Sequence, residues 1–364
     1  SQQFGPRMMR NFVRDVGNQL TLGIFVASFV YSVLSLGAIN APNPKFIPHL
    51  SIAVAEALSL VDLAVLIYFI HHIAKSIQLP EVIAGIARDL MRAIDAEYPQ
   101  NVTAGPRRAD LGGQAGRTVA EILQLMDERG AVVSSVTSGY VQFVGYAQLV
   151  DIAARTDSVI RLLYRPGHFI VAGRPVATVW PGGAAGQVAS ALAKAHVTGP
   201  HRTLMQDPVF AIDQLVEIAI RALSPAVNDT FTALTCIDWL SAGLSRVSGR
   251  TLAEGVYRDR FGRVRLIESD PSYARMVNRA FDKVRQAAAG MPAVLIRMLD
   301  SLSNIVDQTV SAHQREILAR QGGMILSRAE ESVSETNDRA DIVERYERLR
   351  GRIAARQPTD ERTA

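Results

Sequence analysis

Leu50 to Ile70 reads LSIAVAEALSLVDLAVLIYFI, an apolar run whose formal charges are Glu56 and Asp62 alone. As a helix its roughly 21 residues, at about 1.5 Å each, span roughly 30 Å, the hydrocarbon thickness of a bilayer. The run therefore predicts a membrane-crossing helix, and it constrains whatever is attached to it. An ionisable group at bilayer depth is costly, so Asp62, near the middle, is expected to face protein or water rather than lipid. A second run, Gln19 to Ile39, carries no formal charge and predicts a partner helix. In it Gly23 and Ala27 are four apart, as are Ser28 and Ser32, so another helix can approach closely. Packing on the second helix fits that pattern. So does packing around a symmetric assembly, with small and hydroxyl side chains lining a narrow pore.

Asp62 thus has two readings: it affects permeation, or it accepts a hydrogen bond from Tyr31 or a serine of the first helix. The permeation or gating candidates are Asp62, Glu56, His71, His72, Tyr31, Ser28 and Ser32. The adjacent histidines diverge on a helix, so one ion would need a third element to bind both. An interfacial pair and a proton-sensing or metal role both remain open, and no metal site is assigned.

Arg7, Arg10 and Arg14 precede the first helix, and Lys75, Arg88 and Arg92 follow the second. The positive-inside rule then places both flanks in the cytoplasm, with a short external turn at Pro42, Pro44 and Pro48. The chain starts at Ser1 without an initiator methionine, which leaves room for upstream segments, and its first apolar run is too long for a cleavable signal peptide. The 39 Lys and Arg against 35 Asp and Glu give +4, which a positive juxtamembrane surface explains without a nucleic-acid partner. A lone cysteine, Cys236, excludes an intramolecular disulfide framework and a cysteine-rich zinc site.

The expected fold class is a membrane α-helical module plus a cytoplasmic α+β region. In that region a small antiparallel β barrel-sandwich-like domain is followed by a helical domain. Residues 1–79 form the transmembrane module, with helices about 19–39 and 50–70, and 80–116 an amphipathic helix and linker. Short β-branched runs broken by glycine and proline fill 117–182. Residues 183–327 are mainly helical with a hairpin near 256–268, and 328–364 form a charged helix or tail, with a solvated face the favoured reading. Within the β region, RPGHFIVAGRPVATV resembles the hairpin of barrel-sandwich hybrid domains such as biotinyl and lipoyl modules. No lysine stands at its tip, so the resemblance implies the scaffold and not the swinging-arm chemistry, and no cofactor is expected. Its solitary His168 reads as structural.

The densest polar stretch runs from His201 to Ala233. Asp213, Glu217 and Arg221 share one helix face, and Asn228 or Asp229 can cap the next helix. Alternatively Arg202, Gln206, Asp207, Asp213, Arg221, Asn228 and Asp229 gather into a polar pocket or subunit contact. No spacing there matches a nucleophile with its base, a phosphate loop, a dinucleotide fingerprint or a zinc helix, so no catalytic residue is assigned and the chain leans away from an enzyme.

SQQFGPRMMRNFVRD, FIHHIAKSIQ, SGYVQFV, RPGHFIVAG and RTLMQDPVFAIDQLVEIAIRALSPAVNDTFTA together resemble the bacterial family of predicted membrane proteins known as domain of unknown function 2254. That resemblance covers nearly the whole chain and implies two further membrane helices upstream, making this the second half of a four-helix module. The favoured function is an oligomeric, channel-like or transport protein of the bacterial inner membrane with a cytoplasmic vestibule. The alternative is a non-conducting membrane-anchored scaffold or sensor that binds a cytoplasmic protein partner. The lipid bilayer and further copies of the chain are the expected partners.

Overall fold

The computed structural model describes residues 16–39, 49–76, 78–98, 117–250, 255–268 and 273–356. Arg7, Arg10 and Arg14, the turn prolines, the 99–116 linker and the end of the tail lie outside them. The chain divides into two units, Ser1–Gly85 and Ile86–Ala364.

The first unit holds two helices, α1 (Val16–Ile39) and α2 (His49–Ser76), both long and apolar enough to cross a membrane. They pack on each other through one stripe apiece. On α1 the buried and half-buried positions Thr21, Ile24, Phe25, Ser28, Tyr31 and Ser35 recur every three or four residues; on α2, Ala55, Leu58, Asp62, Val65 and Phe69 do the same. That spacing keeps one seam of each helix facing its partner along the whole pair. The remaining faces expose large apolar residues such as Leu22, Phe29, Leu60 and Ile67. The small residues divide between the two sides: Ser28 points into the seam, whereas Gly23 and Ala27 face outward, and nothing lies within 4 Å of where a Gly23 Cβ would sit.

Helix α3 (Leu79–Glu97) leads into the second unit, where α4 (Val119–Arg129), closed by a Thr118–Glu121 capping box, introduces the sheets. The strands are β1 (Ala131–Ser134), β2 (Gly139–Val144), β3 (Val159–Leu162), β4 (Phe169–Ile170), β5 (Pro175–Trp180), β6 (His196–Gly199), β7 (Val256–Arg258) and β8 (Val264–Ile267). Between them come α5 (Tyr146–Arg155) and α6 (Ala185–Ala195). A five-stranded sheet has the order β1-β5-β3-β8-β7 and a three-stranded sheet the order β4-β2-β6. This differs from an all-antiparallel barrel-sandwich hairpin, because β3 and β8 pair in parallel. The RPGHFIVAG segment turns at Gly173 (φ +81°) and splits its strands, β4 joining the smaller sheet and β5 the larger. The 256–268 hairpin likewise completes the larger sheet. Its strand β8 is buried at all four positions, as an interior strand should be.

The helical layer comprises α7 (Pro208–Ala222), α8 (Thr230–Ser248), α9 (Tyr273–Ala287), α10 (Pro292–Val306), α11 (Ala312–Ser332) and α12 (Thr336–Ala355). Pro208 and Pro292 sit in the first turns, where a missing N–H costs nothing. Along α10 the stripe Val294, Leu295, Met298, Leu299, Leu302, Ile305 and Val306 is wholly buried. The charged tail is not a solvated arm along its length. Helix α12 lies on α10 and α11, buries Ile342 and Leu349 seven residues apart, and pairs Arg345 with Asp300 (3.3 Å) and Arg352 with Asp307 (2.5 Å). Leu349 fills the space beside Gly322, where an added Cβ would come within 2.6 Å of it. Leu349→Ala is expected to lower stability by about 2–5 kcal/mol, read as a depressed thermal midpoint of the full chain in detergent; a freely solvated tail predicts no change.

Candidate functional site

Three polar constellations stand out, one in the hairpin and two in the second unit. In the hairpin, the Ser28 hydroxyl donates to Asp62 Oδ1 at 2.9 Å, and among the described residues this is the carboxylate's one partner. Ser32 donates back to Ser28 O (2.9 Å) and Tyr31 to Ser51 O (3.4 Å), so neither reaches Asp62. Glu56 is exposed on another face, seven residues into α2 and so roughly 10 Å from its start. His71 is exposed, while His72 is half-buried and stacks on Tyr68 at 5.7 Å; the pair diverges as adjacent helical positions must.

In the second unit, Arg202 bridges two aspartates. Its Nε and Nη2 donate to Asp207 Oδ2 at 2.9 and 2.6 Å, its Nη1 donates to Asp213 Oδ2 at 2.6 Å, and the guanidinium covers the Phe210 ring. Arg279 of α9 clamps the far side of Asp213 with two bonds of 2.9 Å. Two cations thus balance two anions, with Arg202 and Asp207 largely buried. Gln206 serves the smaller sheet: its amide accepts from Val144 N (2.8 Å) and donates to Val144 O (3.1 Å), finishing the β2 edge. Burial pushes Asp207 upward while the adjacent guanidinium pulls it down.

The other predicted members sit elsewhere. Helix α7, 15 residues and roughly 22 Å long, has Arg202, Gln206 and Asp207 before it and Asp213 in its second turn, whereas Arg221 lies in its last turn and Asn228 and Asp229 beyond its end. Arg221 pairs with Glu217 one turn back (3.2 Å). Asn228 takes a left-handed conformation (φ +47°) that asparagine tolerates, and Asp229 caps α8 by accepting from Thr232 N at 3.1 Å. His168 is not solitary: Arg165 Nε lies at 3.1 Å and Arg275 Nη1 at 3.3 Å from its Nε2. Since an Arg can only donate, that nitrogen accepts, and burial beside Arg165 and Arg202 lowers the imidazole's affinity for a second proton.

Sequence reasoning missed the third constellation. Glu268, just after β8, accepts from the hydroxyls of Tyr146 (2.7 Å) and Tyr257 (3.1 Å), whose rings stack at 4.9 Å. Burial raises Glu268 above the usual carboxylate range, opposed by the two hydroxyls and Arg165. Glu97, at the end of α3, is pushed up to about 7 by burial first, then by the negative fields of Glu268 and Asp207. Burial beside these acids raises Tyr98 and Tyr257 as well. The half-buried acids and phenols of this group are all shifted upward, and Tyr146 and Glu268 are 122 residues apart in the chain, so no local spacing announced it. With Glu97 raised from 4.5 to about 7, the folded state holds a proton the unfolded chain has lost. Its stabilising contribution is full below about pH 4.5 and is lost as pH rises through about 7. Glu97→Gln is expected to remove that loss: thermal midpoints measured from pH 4 to 8 should fall less for the variant, the gap widening toward pH 8.

A family model described as a predicted membrane protein (DUF2254) matches residues 1–304. Uncharacterized proteins of Mycobacterium bovis and of two strains of Mycobacterium tuberculosis are 30% identical over 351 residues, covering 94% of this chain. The chain spans 65% of the length of these curated relatives. No solved structure matches it. The family description agrees with two helices of membrane-spanning length, and the match takes in both. The chain belongs to the DUF2254 family of predicted membrane proteins.

Proposed function

We propose that the chain is an oligomeric, channel-like or transport protein of the bacterial inner membrane, with both flanks of the hairpin and the α+β unit in the cytoplasm. Asp62 carries this reading. A carboxylate offers about four acceptor positions, and one hydroxyl, from Ser28, is bonded to it among the described residues. In hydrocarbon the rest must meet water, a proton or another chain, and all three occur along a polar path between copies. The outward Gly23 and Ala27 supply a surface on which a further helix can come close. The arginines flanking both helices support the orientation. Purified protein in liposomes is expected to pass monovalent cations, and Asp62→Asn to lower that flux about tenfold, equivalent to about 1.4 kcal/mol of barrier. Absence of flux across ions and pH, or unchanged flux in the variant, would sink the proposal.

A second reading, a non-conducting scaffold or sensor, is favoured by the α7–α8 turn together with the first turn of α8. There Phe231 is 83% exposed and Val227 40%, next to the constrained Asn228. A large aromatic held in water by a rigid turn suits a cytoplasmic protein partner. Under this reading Phe231→Ala releases a specific protein that co-purifies with the wild type, while the oligomer measured by light scattering stays intact. Co-purification unaffected by the substitution counts against it.

A further inference from the structure

The β7–β8 hairpin and the outer face of α5 enclose an open groove of about 1210 Å³. Its floor is apolar and aromatic: Val150 and Ala154 lie along α5, Val256 stands opposite, and the stacked pair Tyr146 and Tyr257 closes one end. Its rim is arginine, with Arg155, Arg258, Arg260 and Arg263 all exposed. Two of the three acids in the lining are committed to the fold. Asp259 accepts from Phe261 N (2.9 Å), Arg263 N (3.0 Å) and the buried Arg265 (2.8 Å); Asp157 pairs with Arg265 at 2.9 Å and more loosely with Arg263 at 3.8 Å. Asp151, the third, is exposed on α5.

The plain account of surface arginines is a solvated face. Here they converge on a concavity instead, whose lining carries five arginines against three aspartates, and a concavity with an excess of one sign of charge focuses its field on what enters. What the hairpin itself asks of them is small: Arg258 donates to Gly262 O (3.1 Å), and Arg260 lies over the Phe261 ring at 4.7 Å, both leaving N–H groups free to bind. The planar guanidinium fork matches the oxygens of a phosphate.

We propose that this groove binds a phosphate-bearing anion, gripped by Arg258, Arg260 and their rim neighbours over the tyrosine floor. The phosphate belongs either to a soluble compound or to the headgroup of an anionic lipid. Because both floor hydroxyls donate to Glu268, an occupant pressing on the rings also acts on the buried acids beneath them.

The test has two arms, both on the full chain. Calorimetry of the protein in phosphatidylcholine nanodiscs, titrated with inorganic pyrophosphate at low salt, reads the soluble source. Native mass spectrometry of detergent-solubilised protein, counting retained phosphatidylglycerol, reads the headgroup. Binding is expected in at least one arm and, in that arm, to weaken about tenfold in Arg258→Ala/Arg260→Ala, with Arg339→Ala on the exposed side of α12 leaving it unchanged. Pyrophosphate binding alone assigns a soluble ligand, and phosphatidylglycerol retention alone a lipid. No binding in either arm, or an equal loss in Arg339→Ala, overturns the proposal.

Discussion

Arg202 is the joint through which the sheets and the helical layer of the second unit hold each other. It follows β6, its two aspartates open and line α7, and Arg279 ties the same carboxylate to α9. Two acids brought out of water this far require cations in good geometry, since a buried charge without a partner costs several kcal/mol. The surrounding chain is shaped by that need. Gly167 has φ +87°, and a Cβ there would overlap Asp207 Oδ2. Conformation and space both demand glycine at the turn into β4, and the RPGH segment is the sequence trace of the Arg202–Asp207 pair.

The two units handle carboxylates in related ways. Asp62 in the hairpin and Glu268 behind the larger sheet each meet hydroxyls rather than cations, one from Ser28 and two from Tyr146 and Tyr257. A hydroxyl bond keeps an acid in place without fixing its charge, whereas an arginine fork commits it to ionisation. Asp213, held by Arg202 and Arg279, is built for permanence. Burial instead holds Glu268 and Glu97 above the ordinary carboxylate range.

Local chemistry wrote some of this structure plainly. The apolar runs, the proline-led α7 and α10 and the core stripe from Val294 to Val306 follow from periodicity and start signals that act within one turn of helix. The direction of the small residues in α1 did not, because Gly23/Ala27 and Ser28/Ser32 have the same spacing and the choice between them is made by Asp62 on another helix. The charged tail hid Ile342 and Leu349, two apolar positions among many arginines and glutamates, which suffice when they fall on one face. Of the polar stretch, the Arg202 group was legible as a cluster, but Arg221 and Asn228 look near it in sequence and are kept apart by the length of α7. Arg275, Arg279, Glu97 and Glu268 reach their partners only through tertiary packing.

The parallel pairing of β3 with β8 also sets an order of events at the ribosome. About 100 residues separate the two strands, an interval of about 5–20 s at ordinary rates of synthesis. Throughout it β3 stands as an open sheet edge, able to pair with any passing strand. The two apolar helices α1 and α2 are made before that interval begins, so they are complete while the sheet is still open. A nascent chain thus spends those seconds with both apolar helices complete and its largest sheet unfinished.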